Sequence, residues 1–168
     1  LIGRFCHKGK VGLVAGWLGL RDHRERLEGF TRLLESEFPG IEIVGPVEGR
    51  DDNDETRRQV ETMLAEHQDL AGLYNLGAGN GGLLAALEAS GRAGTIRVVA
   101  HELADTTRSG LASGAIDVVL DQNPEGEIRA AIAAARALAM GRHSAEAVEP
   151  IEIGIFLRDN LRQEGSPK

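Results

Sequence analysis

VGLVAGWLGLRDHRERLEGFTRLLESEFPGIEIV, residues 11–44, carries the fold in miniature. Residues 11–15 are a short apolar run between Gly9 and Gly16, which suits a strand buried on both faces. Residues 22–38 then place Leu27, Phe30, Leu34 and Phe38 near one helical face, and Pro39-Gly40 stops the pattern. Residues 41–44 form a second apolar run. Strand, helix and strand of this kind make a βαβ unit, the building block of a parallel sheet.

The pattern repeats downstream. A polar stretch at 51–55 leads into a helix through Val60, Met63, Leu64 and His67, followed by a third strand at 70–76. Residues 82–90 read as a helix stopped by Gly91, 95–100 as a fourth strand, and 104–113 as a short helix closed by Gly114. A fifth strand at 116–120 precedes an alanine-rich helix at 125–140, expected to turn Ile128, Ile132, Ala135 and Leu138 inward and to end at Gly141. Residues 151–156 are a last strand, 143–150 a linker and 163–168 a frayed tail. Residues 1–6 read as the last turn of an amphipathic helix, and an apolar helix end with nothing before it suggests a fragment. No internal repeat or low-complexity tract interrupts the order. The expectation is an α/β three-layer sandwich on a mainly parallel sheet.

Composition narrows the function classes. The 168 residues suffice for one domain with a core, and the low aromatic share, 4%, fits an aliphatic interior. A net charge of −7 argues against a nucleic-acid-binding surface on this segment. Cys6 is the only cysteine, so an intrachain disulfide or a cysteine-held zinc is excluded, and the chain leans towards a reducing cytoplasm. No apolar run approaches the roughly 20 residues needed to span a bilayer, and the expectation from these residues is of no signal peptide.

In open parallel sheets ligands bind beyond the carboxyl ends of the strands. That rule selects residues 16–26, 45–50, 74–80, 101–105 and 121–124, where Asp22, Arg24, Arg26, Glu48, Asn75, Asn80, His101, Glu102, Asp121 and Gln122 gather. Carboxylates and amides accept from hydroxyl groups while a guanidinium donates in pairs, so the set suits a polyhydroxylated ligand. Trp17 could offer an apolar face to a sugar ring. Singly, most of these residues are as readily explained as helix caps or solvated side chains.

Gly77-Ala-Gly79-Asn-Gly81-Gly82 matches the G-x-G-x-x-G dinucleotide fingerprint: it follows a strand, opens a helix, and Glu102 lies 20 residues past Gly82. The fingerprint normally marks the first βα turn, however, and two βα units precede it here. A tight turn that lets backbones approach is the plainer reading. His101-Glu102 and Asp121 could act as acid–base groups, but neither G-x-S-x-G nor a P-loop occurs. The five histidines, His7, His23, His67, His101 and His143, lack metal-ligand spacing. Neither an enzyme nor a bound metal or cofactor is expected.

Residues 8–16, KGKVGLVAG, followed by Arg24-Glu-Arg26-Leu-Glu-Gly29-Phe30, resemble the lac-repressor family of transcription regulators and the ribose-type periplasmic binding proteins. The resemblance extends over nearly the whole chain. It implies a periplasmic-binding-protein-like type I fold whose R-x-x-G-F helix aims an arginine at a bound sugar, which makes Arg26 the first sugar-binding candidate and Arg24 the second. It also implies an Asn after the third strand (Asn75, with the family's following Asp absent), an acid after the fourth (Glu102, preceded by His101) and a Gln after the fifth (Gln122). Gly29 would permit close helix packing. Residues 153–160, IGIFLRDN, are similar to the short strand that closes regulators of this family. On this reading residues 1–8 end a helix of the first subdomain, 9–122 form the second, 123–142 return to the first, and 150–168 hold the closing strand and tail. The resemblance implies a cytoplasmic homodimer whose sugar-sensing domain governs DNA binding by a helix-turn-helix outside this sequence. A periplasmic sugar receptor for a transporter uses the same cleft and stays open, as does a nicotinamide-dependent enzyme using residues 77–82.

Overall fold

Strand β1 (Gly9–Ala15) buries every residue from Val11 to Ala15, as a central strand covered on both faces must. The computed structural model describes residues 1–142 and 151–161, so the expected linker at 143–150 and tail at 163–168 lie outside the described residues. Around β1 lie β2 (Ile41–Glu48), β3 (Leu70–Asn75), β4 (Arg97–His101), β5 (Val118–Asp121) and β6 (Gly154–Phe156). They form one sheet in the order β2-β1-β3-β4-β5-β6, parallel except for β6, which pairs antiparallel with β5. The sequence-derived strands are recovered. β2 runs on past Pro46 to Glu48, and the last strand is shorter than expected.

Alternation along the strands sorts the helices into two layers. On one face Val14, Leu73, Val98, Ala100 and Val119 meet Val60, Met63 and Leu64 of α3 (Asn53–Glu66), Leu83, Ala86 and Leu87 of α4 (Asn80–Ala89) and Leu111 of α5 (Asp105–Ser113). On the other, Val11, Leu13, Tyr74, Val99 and Val118 meet Ile2 of α1 (Ile2–Cys6) and Leu27, Phe30 and Leu34 of α2 (Arg21–Glu37). Caps fix the ends: Asp52 accepts from the Glu55 amide at 2.8 Å, and Gly114 closes α5 at φ 80°.

Residues 1–8 lie against the sheet of residues 9–122, where Ile2 is buried and Gly3 meets the Phe38 ring. Two expectations change. Gly29 allows no close packing: a Cβ there would meet nothing within 4 Å, since it borders an open apolar hollow of about 280 Å³ that Arg26, Phe30, Tyr74, Val99 and Leu120 also line. Helix α6 (Pro124–Ala139) does not turn its apolar stripe inward; Ile128, Ile132 and Leu138 are 63%, 56% and 62% exposed, Ala135 is exposed too, and only Ala137 is buried. The helix forms from its Pro at the first turn, the Asn123 cap and its alanines, but the sheet offers it no facing layer. No described helix is long and apolar enough to cross a membrane.

Candidate functional site

The strand order 2-1-3-4-5 reverses direction between β1 and β3, and in doubly wound sheets the ligand crevice opens at that point, beyond the carboxyl ends. The backbone marks the same edge. Of the five non-glycine residues with positive φ among the described residues, Arg50 (53°), Asp51 (56°), Glu102 (66°) and Asn123 (60°) follow β2, β4 and β5 there. Such conformations cost free energy and persist where the surroundings over-determine them, commonly at binding edges.

The loop after β1 is held from two sides. The Trp17 amide donates to His23 Nδ1 at 3.1 Å, and the Leu18 amide donates to Glu48 Oε1 at 2.7 Å. Trp17 itself is 56% exposed, while His23 beneath it is buried. One turn into α2, Arg26 donates through Nη1 to the Leu76 carbonyl at 2.5 Å, with Nη2 3.6 Å from Asp22. This anchoring leaves Arg26 largely buried at the switch point, where a guanidinium is pre-positioned at little entropic cost. Arg24 is exposed on the same turn, and no ion pair ties it among the described residues.

Next to Arg26 lies a buried aromatic pair. Tyr74 Oη and His101 Nε2 are 2.8 Å apart, and Phe30 packs on Tyr74 with ring centroids 4.8 Å apart. Burial pushes the tyrosine up to about 12; burial first, then the nearby Arg26 and His23, push His101 down to about 3. Both are therefore neutral near pH 7. The tautomer that wastes fewest groups has Tyr74 donating to Nε2, which leaves His101 Nδ1–H as a buried donor without an acceptor among the described residues. In the next two loops Gln122 Nε2 donates to Glu102 Oε1 at 2.6 Å. Asp121 is committed to the backbone, accepting from Leu103 at 3.0 Å and Asn123 at 3.2 Å.

Thus Arg26 and His101 adjoin each other, Glu102 and Gln122 form a second pair, and Trp17 and Arg24 stand exposed at the β1–α2 junction. Asn75 does not join them. It is fully buried, donates to the Ala78 carbonyl at 3.0 Å and to Asn80 Oδ1 at 2.8 Å, and accepts from the Gly77 amide at 3.2 Å. Both N–H donors and one acceptor site of its amide go into shaping the loop after β3. Sequence reading missed His23, in the first turn of α2, and Tyr74, near the end of β3, since neither periodicity nor spacing distinguishes a buried polar side chain from a core residue.

The glycine loop is explained by packing. A Cβ on Gly77 would lie 2.6 Å from the Gly16 amide, one on Gly79 would strike the Thr56 hydroxyl, one on Gly81 would lie 2.9 Å from Asn53 Oδ1, and one on Gly82 would overlap the Asn53 carbonyl. Its amides are also occupied: Ala78 donates to Asp51 at 2.9 Å and Gly82 to Asn53 at 3.2 Å. A carboxylate of the chain thereby sits where a bound pyrophosphate would compete for the same donors. Among the described residues no group of three His, Cys, Asp or Glu could hold a metal ion.

These features define a class: an α/β lobe of the periplasmic-binding-protein-like type I fold, with polar side chains at the carboxyl edge of its sheet. The chain belongs to the periplasmic binding protein domain family, whose model matches residues 1–143. Solved structures agree. An ABC transporter solute-binding protein from Agrobacterium vitis, bound with α-D-tagatopyranose, superposes with a TM-score of 0.86 at 24% identity, covering 95% of this chain and 53% of that one. A sugar-binding protein of a sugar ABC transporter from Bacillus halodurans gives 0.78 at 26% identity over 92% and 56%. A solute-binding protein from Burkholderia graminis in complex with D-arabinose gives 0.86 at 25% identity over 94% and 56%. The chain thus spans about half the length of these proteins. No curated protein matches it. The named neighbours are transporter sugar receptors rather than lac-repressor-type regulators.

Proposed function

We propose that this chain is one lobe of a two-lobe sugar receptor that closes on a monosaccharide at the carboxyl ends of β1, β4 and β5. The observation that carries the reading is the placement of Arg26, His101, Glu102 and Gln122 along one edge, with an exposed Trp17 at its side. Arg26 and His101 Nδ1–H donate to ligand oxygens; Glu102, steadied by Gln122, accepts from hydroxyls; Trp17 covers an apolar ring face. Arg24 contributes from the rim, and no covalent chemistry is done on the ligand. Helix α6 belongs to the other lobe, and its bare apolar stripe is the surface that docks there. The tagatose and arabinose held by similar proteins support the ligand class. Titration calorimetry with D-tagatose, D-arabinose, D-allose and D-fucose tests it: one sugar binds and Arg26→Ala abolishes the heat, whereas silence towards all four and towards other pentoses and hexoses refutes it.

For the whole protein, the neighbours favour a receptor that delivers sugar to a transporter from outside the cytoplasmic membrane. The likeness of residues 24–30 and 153–160 to lac-repressor relatives supports a second reading, a cytoplasmic homodimeric regulator in which sugar-driven lobe closure changes DNA affinity. Operator binding by the full-length protein, sensitive to the sugar, separates the two. The nicotinamide alternative has the filled glycine loop against it, and a thermal shift with NAD would restore it.

A further inference from the structure

We propose that Asp51 is a positioning residue for the ligand edge, a carboxylate brace between the loop that carries Trp17 and the loop that anchors Arg26. From the β2–α3 loop, the Arg50 amide donates to the Gly16 carbonyl at 2.8 Å, which brings the next residue over the end of β1. Asp51 Oδ1 then accepts from the Ala78 amide at 2.9 Å, in the loop after β3. Two glycines admit the carboxylate: a Cβ on Gly16 would strike it, and one on Gly77 would lie 3.0 Å from Oδ1. The two glycines also meet, since that Cβ on Gly77 would lie 2.6 Å from the Gly16 amide nitrogen. The arrangement keeps Arg50 and Asp51 at φ 53° and 56°, consecutive left-handed residues of a kind that persists where the surroundings over-determine it. Aspartate is one of the few side chains that visit this region routinely.

Both neighbours of the brace lead to the ligand edge. Gly16 runs directly into Trp17, whose amide is fastened to His23 Nδ1 at 3.1 Å. Gly77 follows Leu76, whose carbonyl takes the Arg26 guanidinium at 2.5 Å. Asp51 therefore acts on both through the backbone: it fixes the loop bearing the stacking side chain against the carbonyl that aims the arginine. A hydrogen bond from an amide to a carboxylate is roughly twice as strong as one between neutral groups. Asp51 is exposed, a position where substitution ordinarily changes little, so a large effect on the ligand edge distinguishes the brace from a solvated surface acid.

The effect on affinity rests on the sugar-lobe reading; the brace itself does not. Asp51→Asn keeps an Oδ1 acceptor and tolerates positive φ, whereas Asp51→Gly keeps the backbone conformation and removes the acceptor. Trp17 is the only tryptophan, so its fluorescence anisotropy reports the loop without labels. In the 168-residue chain without sugar, Asp51→Gly is expected to lower the anisotropy and Asp51→Asn to keep the wild-type value. Asp54→Ala, which removes an exposed acid from the first turn of α3, also keeps it. Hydrogen exchange followed by NMR should show the Ala78 amide slow in wild type and Asp51→Asn and fast in Asp51→Gly. For whichever of D-tagatose, D-arabinose, D-allose and D-fucose binds best, affinity falls about tenfold in Asp51→Gly, the low end for a hydrogen bond to a charged group, and stays at the wild-type level in Asp51→Asn. Wild-type anisotropy in Asp51→Gly, or Asp51→Asn behaving like Asp51→Gly in anisotropy or affinity, overturns the proposal. If circular dichroism shows Asp51→Gly unfolded, the Ala78 amide decides, and fast exchange in wild type or Asp51→Asn overturns the brace. Silence towards every sugar with the anisotropy response intact refutes the sugar reading and leaves the brace standing.

Discussion

Replacing Gly82 with alanine tests whether the glycine loop exists for packing. Gly82 stands in the first turn of α4, where an added Cβ would overlap the Asn53 carbonyl oxygen and lie 2.8 Å from the Arg57 amide nitrogen. Both are backbone atoms of α3, so no rotamer change relieves the contact and the two helices must separate. Behind that contact Val60, Met63 and Leu64 meet Leu83, Ala86 and Leu87 in the larger core cluster. Overpacking a well-packed interior costs about 1–3 kcal/mol, and a backbone wall places this case near the top, about 3 kcal/mol. Gly29→Ala is the control. It lies inside α2 with nothing within 4 Å of its Cβ position, so it should gain about 1 kcal/mol of helix propensity. At about 2–4 °C per kcal/mol for a domain of this size, Gly82→Ala lowers Tm by roughly 6–12 °C and Gly29→Ala raises it by roughly 2–4 °C. Urea unfolding followed by circular dichroism measures both. A Gly82→Ala variant within about 0.5 kcal/mol of wild type, the range of ordinary surface changes, would refute the packing account and return the loop to the dinucleotide hypothesis. Destabilisation by Gly29→Ala would mean the hollow beside it is filled in solution.

Burial holds the native His101 near 3, below its ordinary value of 6.5. A group depressed on folding contributes stability that is complete above 6.5 and is lost as pH falls towards 3, by up to about 1.4 kcal/mol per pH unit. Urea unfolding at successive pH values should show His101→Gln losing that slope; an unchanged slope would place the acid sensitivity elsewhere. Tyr74→Phe leaves His101 Nε2 buried without its donor and should cost about 1–3 kcal/mol, read from the same unfolding curves; a neutral effect would break the pair's assignment. Ile132→Ser changes an exposed position and should shift stability by less than about 0.5 kcal/mol, whereas Leu83→Ala, fully buried, should cost about 2–5 kcal/mol. Comparable losses in the two would mean that α6 packs inward after all.

The order of strands and helices, the parallel sheet and the edge where polar residues collect were all legible in the chain itself. Each rests on local periodicity: residues 11–15 and 70–76 are apolar because both faces of a parallel strand are covered, and loops at strand ends must be polar. Arg26, Glu102 and Gln122 could be placed at the carboxyl edge because position along a βα unit sets which end of the sheet a residue occupies. What periodicity does not contain is the identity of the partner across space. The stripe Ile128, Ile132, Ala135 and Leu138 announces a face to be covered, but only the tertiary structure showed that this sheet does not cover it. G-x-G-x-x-G announces close backbone approach, but only the fold showed that α3 and Asp51, from the β2–α3 loop, make that approach. Both N–H donors of Asn75 proved to be spent on its own loop, and His23 and Tyr74 gained partners 6 and 27 residues away. Local pattern fixes which surfaces must be buried; long-range packing decides against what, and therefore which polar groups remain free to bind.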